Sequence, residues 1–241
     1  MVQPMKGSRP AGALPLVRQE YAAGMHLQLP PYQPLPAPPE RKRDLIEVAV
    51  ASLHPTQMCV GLAEVMHRIK DFSGESEKER REYLRGKPVP VARNSNGELW
   101  MMDRHHRLRG LLGVHPEATA WAYVVLDVPA AGSDQVLQAL QQRGWLYLYD
   151  GRGLGPHQPA ALPATLMDCQ DDPFRSLVWK LKKEGVIEAA PLIPFHEFRW
   201  GAWLRRKALP PFSSQRLEPA LPAARAYARS AAASRLAGWK G

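Results

Sequence analysis

Five consecutive residues, Asp103-Arg104-His105-His106-Arg107, carry the densest chemistry in the chain. Arginine forks match phosphate and carboxylate oxygens, and a helix start adds unpaired N–H groups and partial positive charge. Residues 98–102 predict a strand that ends at Asp103, and 105–112 predict a helix stopped by Gly113. Arg104, His105, His106 and Arg107 are therefore candidate phosphate ligands. Asp103 reads either as the cap of that helix or as a magnesium ligand beside bound phosphates, and it is the candidate metal-binding and catalytic carboxylate. Successive helical side chains point about 100° apart, so His105 and His106 are poor joint ligands for one zinc ion.

A second polar group, His54-Pro55-Thr56-Gln57 with Val60-Gly61 and Glu64, follows an aliphatic strand pattern. Polar residues at strand ends are where α/β sites commonly form. Thr56 and Gln57 are candidates for the acceptor side and Glu64 for a catalytic carboxylate, although a plain turn accounts for Pro55 and Thr56 equally well. Asp171-Asp172-Pro173-Phe174-Arg175-Ser176-Leu177 reads mainly as a capped helix start, with Asp at the cap and Pro in the first turn. Pro194-Phe195-His196-Glu197-Phe198-Arg199-Trp200 reads mainly as core.

The elements that must position these groups follow from periodicity. Residues 45–53 alternate and are rich in aliphatics, predicting a strand; 61–72 and 75–84 predict two helices. Residues 88–93 and 98–102 predict strands joined by the Asn94-Ser95-Asn96-Gly97 hairpin turn. Residues 119–128 predict a further strand, and 133–143, 173–184 and 195–206 predict helices. The fold class is α+β (mixed α/β), with helices dominating the second half.

Composition excludes several classes. No apolar run reaches the roughly 18 residues of a membrane span, and the N-terminus lacks a signal-peptide apolar region, so the expected location is cytoplasmic. Two cysteines, Cys59 and Cys169, exclude a disulfide scaffold and read as free, buried thiols. Nine of the 24 prolines fall in residues 1–40, marking 1–43 as a polyproline-like N-terminal arm. The net charge of +9 is concentrated at the other end: residues 199–241 hold nine basic side chains against Glu218. Within that end, residues 221–239 are alanine-rich, with Arg225 and Arg229 one turn apart. They read either as a helix for nucleic acid or another anionic surface, or as a solvated, loosely ordered terminus. The organisation expected is 1–43 arm, 44–130 mixed domain, 131–210 helical portion and 211–241 basic tail.

Leu53-x-Pro55-Thr56-Gln57-x-x-Val60-Gly61, Pro88-Val89-Pro90-Val91, Asp103-x-His105-His106-Arg107, Asp171-Asp172-Pro173-Phe174-Arg175-Ser176-Leu177 and Pro194-Phe195-x-Glu197-Phe198, in that order, resemble the ParB-like nuclease family of the ParB/sulfiredoxin superfamily. The resemblance implies a small mixed sheet flanked by helices, followed by a helical C-terminal portion. It also implies a nucleotide phosphate site (ATP, ADP or CTP, with Mg²⁺), in which His105, His106 and Arg107 hold phosphates and Asp103 serves the metal or the transferred group. Sulfiredoxin-like relatives need a cysteine where this chain has His105. Serine-kinase-like relatives have glycine where it has Arg104. No clustered carboxylates suggest two-metal DNA cleavage. Three functions are therefore open: nucleotide-dependent phosphoryl transfer or hydrolysis, nuclease or DNA/RNA binding through the basic tail, and non-enzymatic docking through the proline-rich arm.

Overall fold

The structure is a computed structural model that describes residues 29–241; residues 1–28, most of the predicted arm, lie outside it. Strand β1 (Ile46–Ala49) gives way to a single 3-10 turn at Val50–Ser52 before β2 (Leu53–Pro55) and β3 (Cys59–Val60). The one strand predicted over 45–53 is thus two, and they lie at opposite edges of the sheet. The turn buries Val50 and redirects the chain, which alternation alone does not reveal.

Helices α1 (Leu62–Gly74) and α2 (Glu77–Arg85) follow, the second with a reciprocal Ser76–Glu79 capping box. Strands β4 (Val89–Arg93) and β5 (Leu99–Met101) form the predicted antiparallel hairpin, and α3 (His105–Leu112) starts four residues beyond β5. Next come β6 (Thr119–Asp127), α4 (Ser133–Gln142), β7 (Gln170–Asp171), α5 (Pro173–Lys183), α6 (His196–Leu204) and α7 (Leu221–Arg229).

The main sheet has the order β1-β6-β4-β5-β2 and mixes antiparallel with parallel pairs. Both faces are covered, as expected of alternating side chains in a central strand. Met101 and Val91 pack with Leu108 and Leu111 of α3 and Phe72 of α1 on one side. Trp100 and Ala92 pack with Val136 and Leu140 of α4 on the other. A separate core joins Leu177, Val178 and Leu181 of α5 to Trp200 and Leu204 of α6 and to α7.

The short parallel pair β3–β7 links the sheet domain to this helical unit, with Cys59 opposite Gln170 and Val60 opposite Asp171. Gly61, just after β3, allows the approach: a Cβ there would sit 2.7 Å from the Ser176 amide nitrogen of α5. Both cysteines are free and buried.

The C-terminal stretch is not a solvated terminus. Leu221, Ala224 and Ala228 of α7 are buried in the helical core, together with Ala233 and Leu236. An alanine face allows close helix packing, so a basic, alanine-rich segment becomes a structural wall. Its Arg225 makes a two-pronged ion pair with Glu184 at 2.8 and 2.9 Å. At the other end, Leu29, Tyr32 and Leu35 are buried, and the chain from 29 onward is strapped to the body. The Gln33 amide donates to Arg143, the Leu35 amide donates to Leu192, and Trp145 donates to the Gln33 carbonyl. No helix among the described residues is long and apolar enough to cross a membrane.

Candidate functional site

A cavity of about 450 Å³ lies between the start of α3, the inner face of α1, and the α5–α6 pair. Arg104 and Arg107 come from the strand-to-helix motif and Arg68 from α1, while α5 contributes Arg175, Lys182 and Lys183. Glu64, Asp103 and Glu197 are the carboxylates in its wall. Six cationic side chains therefore face three anionic ones.

The motif is built around one unusual residue. Arg104 precedes α3 with φ of 77°, in the left-handed region that an ordinary side chain enters at a cost. Arg104 thus occupies a turn position that favours glycine while placing a guanidinium at the cavity. Asp103 is not the helix cap. Its Oδ1 accepts from the Arg104 amide at 2.6 Å, and its Oδ2 pairs with the Arg104 guanidinium at 2.8 Å.

The two histidines are anchored to backbone rather than displayed. His105 Nε2 accepts from the Thr56 amide at 3.1 Å, and His106 Nε2 accepts from the Gly61 amide at 2.9 Å. Burial lowers the His105 pKa to about 3. For His106, burial and the Arg175 charge push it well below the usual imidazole value. Both rings are neutral near pH 7. With Nε2 accepting, the proton of each neutral ring must sit on Nδ1. His106 lines the cavity, with Nδ1 3.4 Å from Arg175 Nη2, whereas His105 does not reach it.

The acceptor-side candidates divide in the same way. Thr56 is fully buried, its hydroxyl donating to the Met101 carbonyl at 2.7 Å, and it ties the end of β2 to β5 outside the cavity. Gln57 does line the cavity, its amide donating to the Cys59 carbonyl at 2.7 Å. Glu64 accepts from Arg175 at 2.8 Å and pairs with Arg68 at 3.5 Å. Burial, the largest single influence, would raise the Glu64 carboxyl, but the surrounding positive charges, Arg175 foremost, together outweigh it and bring the pKa to about 2. A carboxylate held so firmly ionised is a poor proton acceptor near pH 7 and a good holder of Arg175.

Arg175 is the hub of the opposite wall. It is 4% exposed, lies 4.0 Å from Glu197, and has its guanidinium over the Phe198 ring at 5.8 Å. Lys182 also pairs with Glu197. Arg107 donates to the Tyr83 hydroxyl at 3.1 Å and stands over that ring at 5.3 Å. Even so, guanidinium nitrogens of these side chains stay unmatched: Nε of Arg68 and Arg104, Nη1 of Arg107, and Nε and Nη1 of Arg175 are buried with no hydrogen-bond partner. Such groups cost stability unless something accepts from them.

The chain resembles known proteins in sequence and in fold. The family model for ParB-like nucleases matches residues 46–206. The chain belongs to the ParB-like nuclease family. It is similar in structure to protein Atu1540 from Agrobacterium tumefaciens, solved by crystallography, with 31% identity and a TM-score of 0.69. That likeness covers 82% of this chain and 98% of the other. No curated protein is significantly similar to it.

In this ParB-like protein the sequence reading missed half of the wall. By its sequence context Arg175 belongs to a capped helix start. That start is real: Asp172 Oδ1 accepts from the Phe174 and Arg175 amides at 2.9 and 3.2 Å. The missed signal is the helical spacing of Arg175, Trp179, Lys182 and Lys183, which share the face of α5 away from Leu177, Val178 and Leu181. Glu197 of α6 had only its place in the Pro194-Phe195-x-Glu197-Phe198 pattern as a signal, because it acquires its role by facing Arg175.

Proposed function

We propose that this cavity binds the phosphates of a nucleotide and that the protein acts in phosphoryl transfer or nucleotide hydrolysis. The observation that carries the reading is the set of buried, unmatched guanidinium nitrogens on Arg104, Arg107 and Arg175 in a wall with twice as many cations as carboxylates. A polyanion balances that charge and offers acceptors to the guanidinium groups that line the cavity. Charge-assisted hydrogen bonds of this kind are the strong ones, and phosphoryl transfer depends mainly on positioning and charge neutralisation.

The neutral His106 contributes its Nδ1–H as a donor beside Arg175, while His105 holds the β2 end in place behind the motif. Asp103, 39% exposed at the cavity edge, is the carboxylate suited to magnesium. Among the described residues no group of three or more histidines, cysteines, aspartates or glutamates could hold a metal alone. Magnesium commonly takes one protein carboxylate and completes its shell with phosphates and water, which fits this donor set. Bound there, the ion would neutralise charge developing on the phosphates.

The test is a thermal-shift series of ATP, ADP, CTP and GTP, with and without Mg²⁺, on wild type and Arg107→Ala. A ligand that binds only the native state raises the melting temperature by mass action. The expected outcome is a shift with at least one nucleotide that shrinks in the variant. No shift with any nucleotide defeats the reading.

The family supports a second reading, nucleic-acid interaction. Arg206, Arg216, Arg229, Arg235 and Lys240 are exposed on the C-terminal unit. It predicts binding whose affinity falls steeply with salt.

A further inference from the structure

We infer that Trp179 is a stacking platform for a planar ring, so that the ligand of this cavity is a nucleoside phosphate rather than a bare polyphosphate or a sugar phosphate. The inference rests on the phosphate reading above. Helix α5 runs outward along the cavity. Arg175 is buried, Trp179, one turn further on, is half-buried, and Lys183, one turn beyond that, is exposed. Four residues of α-helix advance about 6 Å, a span within reach of the sugar that separates a phosphate from its base. The polyanion-binding end of the wall and the indole are therefore in register for one ligand.

The other aromatic rings of the cavity are already used. Phe198 stacks on Tyr147 with centroids 4.0 Å apart, and its ring also lies under the Arg175 guanidinium. Phe195 packs between Tyr147 and Phe198 at 5.8 and 6.4 Å. Trp179 differs. Its ring contacts are the tilted His67 ring at 5.4 Å and the Lys183 ammonium, also 5.4 Å from the ring centroid. Lys183 is an exposed side chain held to His67 Nε2 at 3.1 Å, so a flat ring can displace it at small cost. His67 and Lys183, both lining the cavity, then stand at the edge of that ring as hydrogen-bonding groups.

Half-buried indoles beside a cationic cavity bind flat rings through dispersion and stacking, which tolerates any base. Lys183, displaced to the edge, keeps the platform electropositive, which suits a ligand whose phosphates already carry negative charge.

The test compares Mg²⁺-ATP with Mg²⁺-tripolyphosphate by titration calorimetry on wild type, Trp179→Ala and Trp179→Phe, with the melting temperature of each free protein as a folding control. Stacking predicts that wild type binds ATP about 10- to 100-fold more tightly than tripolyphosphate. Trp179→Ala should erase most of that difference while leaving tripolyphosphate affinity unchanged, and Trp179→Phe should restore much of it. Equal affinity for the two ligands in wild type, or an ATP affinity unmoved in Trp179→Ala, overturns the platform and leaves the phosphate site standing. A wild type that binds neither ligand overturns both.

Discussion

The two walls of the cavity both become cationic, by opposite routes. On the α3 side, the segment richest in chemical groups spends much of them on framework. His105 and His106 accept backbone amides from Thr56 and Gly61, and Asp103 is occupied by Arg104. On the α5–α6 side, a stretch that looks like ordinary helix supplies Arg175, held between Glu64 and Glu197, with Lys182 behind. A motif that looks catalytic can therefore owe its residue types to the fold, while plain helix supplies the charge. Neutral imidazoles suit the first task because a buried ring without charge needs only one donor and one acceptor matched.

The comparison makes Arg175→Ala the most damaging single change. It takes the guanidinium from between the buried carboxylates of Glu64 and Glu197, leaving them only Arg68 and Lys182, and losing one partner of a buried ion pair typically costs about 3–5 kcal/mol. His106→Ala leaves the Gly61 amide without its acceptor and should cost about 1–3 kcal/mol. Urea unfolding of the two variants ranks the walls. A smaller loss in Arg175→Ala than in His106→Ala would reverse the assignment of roles.

Acid should expose the histidine frame before the carboxylate network. His105 titrates near 6.5 in the unfolded chain and at about 3 when folded, so the unfolded state binds more protons between those values. Stability is then full above pH 6.5 and falls as the pH drops toward 3, by about 2 kcal/mol on reaching pH 5 from this group alone. Glu64, lowered from 4.5 to about 2, adds its loss only below pH 4.5. Chemical denaturation from pH 7.5 to 5 checks the order. The decline should be shallower in His105→Gln, and an equal slope in that variant removes His105 from the explanation.

The smallest effect belongs to the exposed cations. Arg229→Ala should leave stability within about 0.5 kcal/mol of wild type and only lessen the salt dependence of any nucleic-acid binding. Truncation before α7 is a different experiment, because it removes Leu221, Ala224 and Ala228 from the core and should unfold the helical unit. A truncated chain that melts at the wild-type temperature would show that α7 is dispensable after all.

Much of the fold was legible from local pattern. The hairpin over Asn94–Gly97, the helix His105–Leu112 with its stop at Gly113 and the strand beginning at Thr119 all follow from period and turn chemistry, which are short-range. The break at Val50–Ser52 was not legible, because an aliphatic run reads the same whether it crosses one sheet edge or turns between two. The packing of the basic end was not legible for a related reason: composition reports charge, whereas the alanine face between the arginines decides whether a helix packs.

The sequence by itself determined the mixed α+β class, most helix limits, the Asp103–Arg107 motif and the family. Tertiary structure alone decided which members of that motif face the cavity, that His105 and Thr56 bond behind it, and that Arg175, Lys182 and Glu197 complete it from more than 60 residues away along the chain. The physical reason is that a helix start or a hairpin depends on neighbouring residues, whereas the charge, protonation and exposure of a side chain depend on whatever the fold places against it.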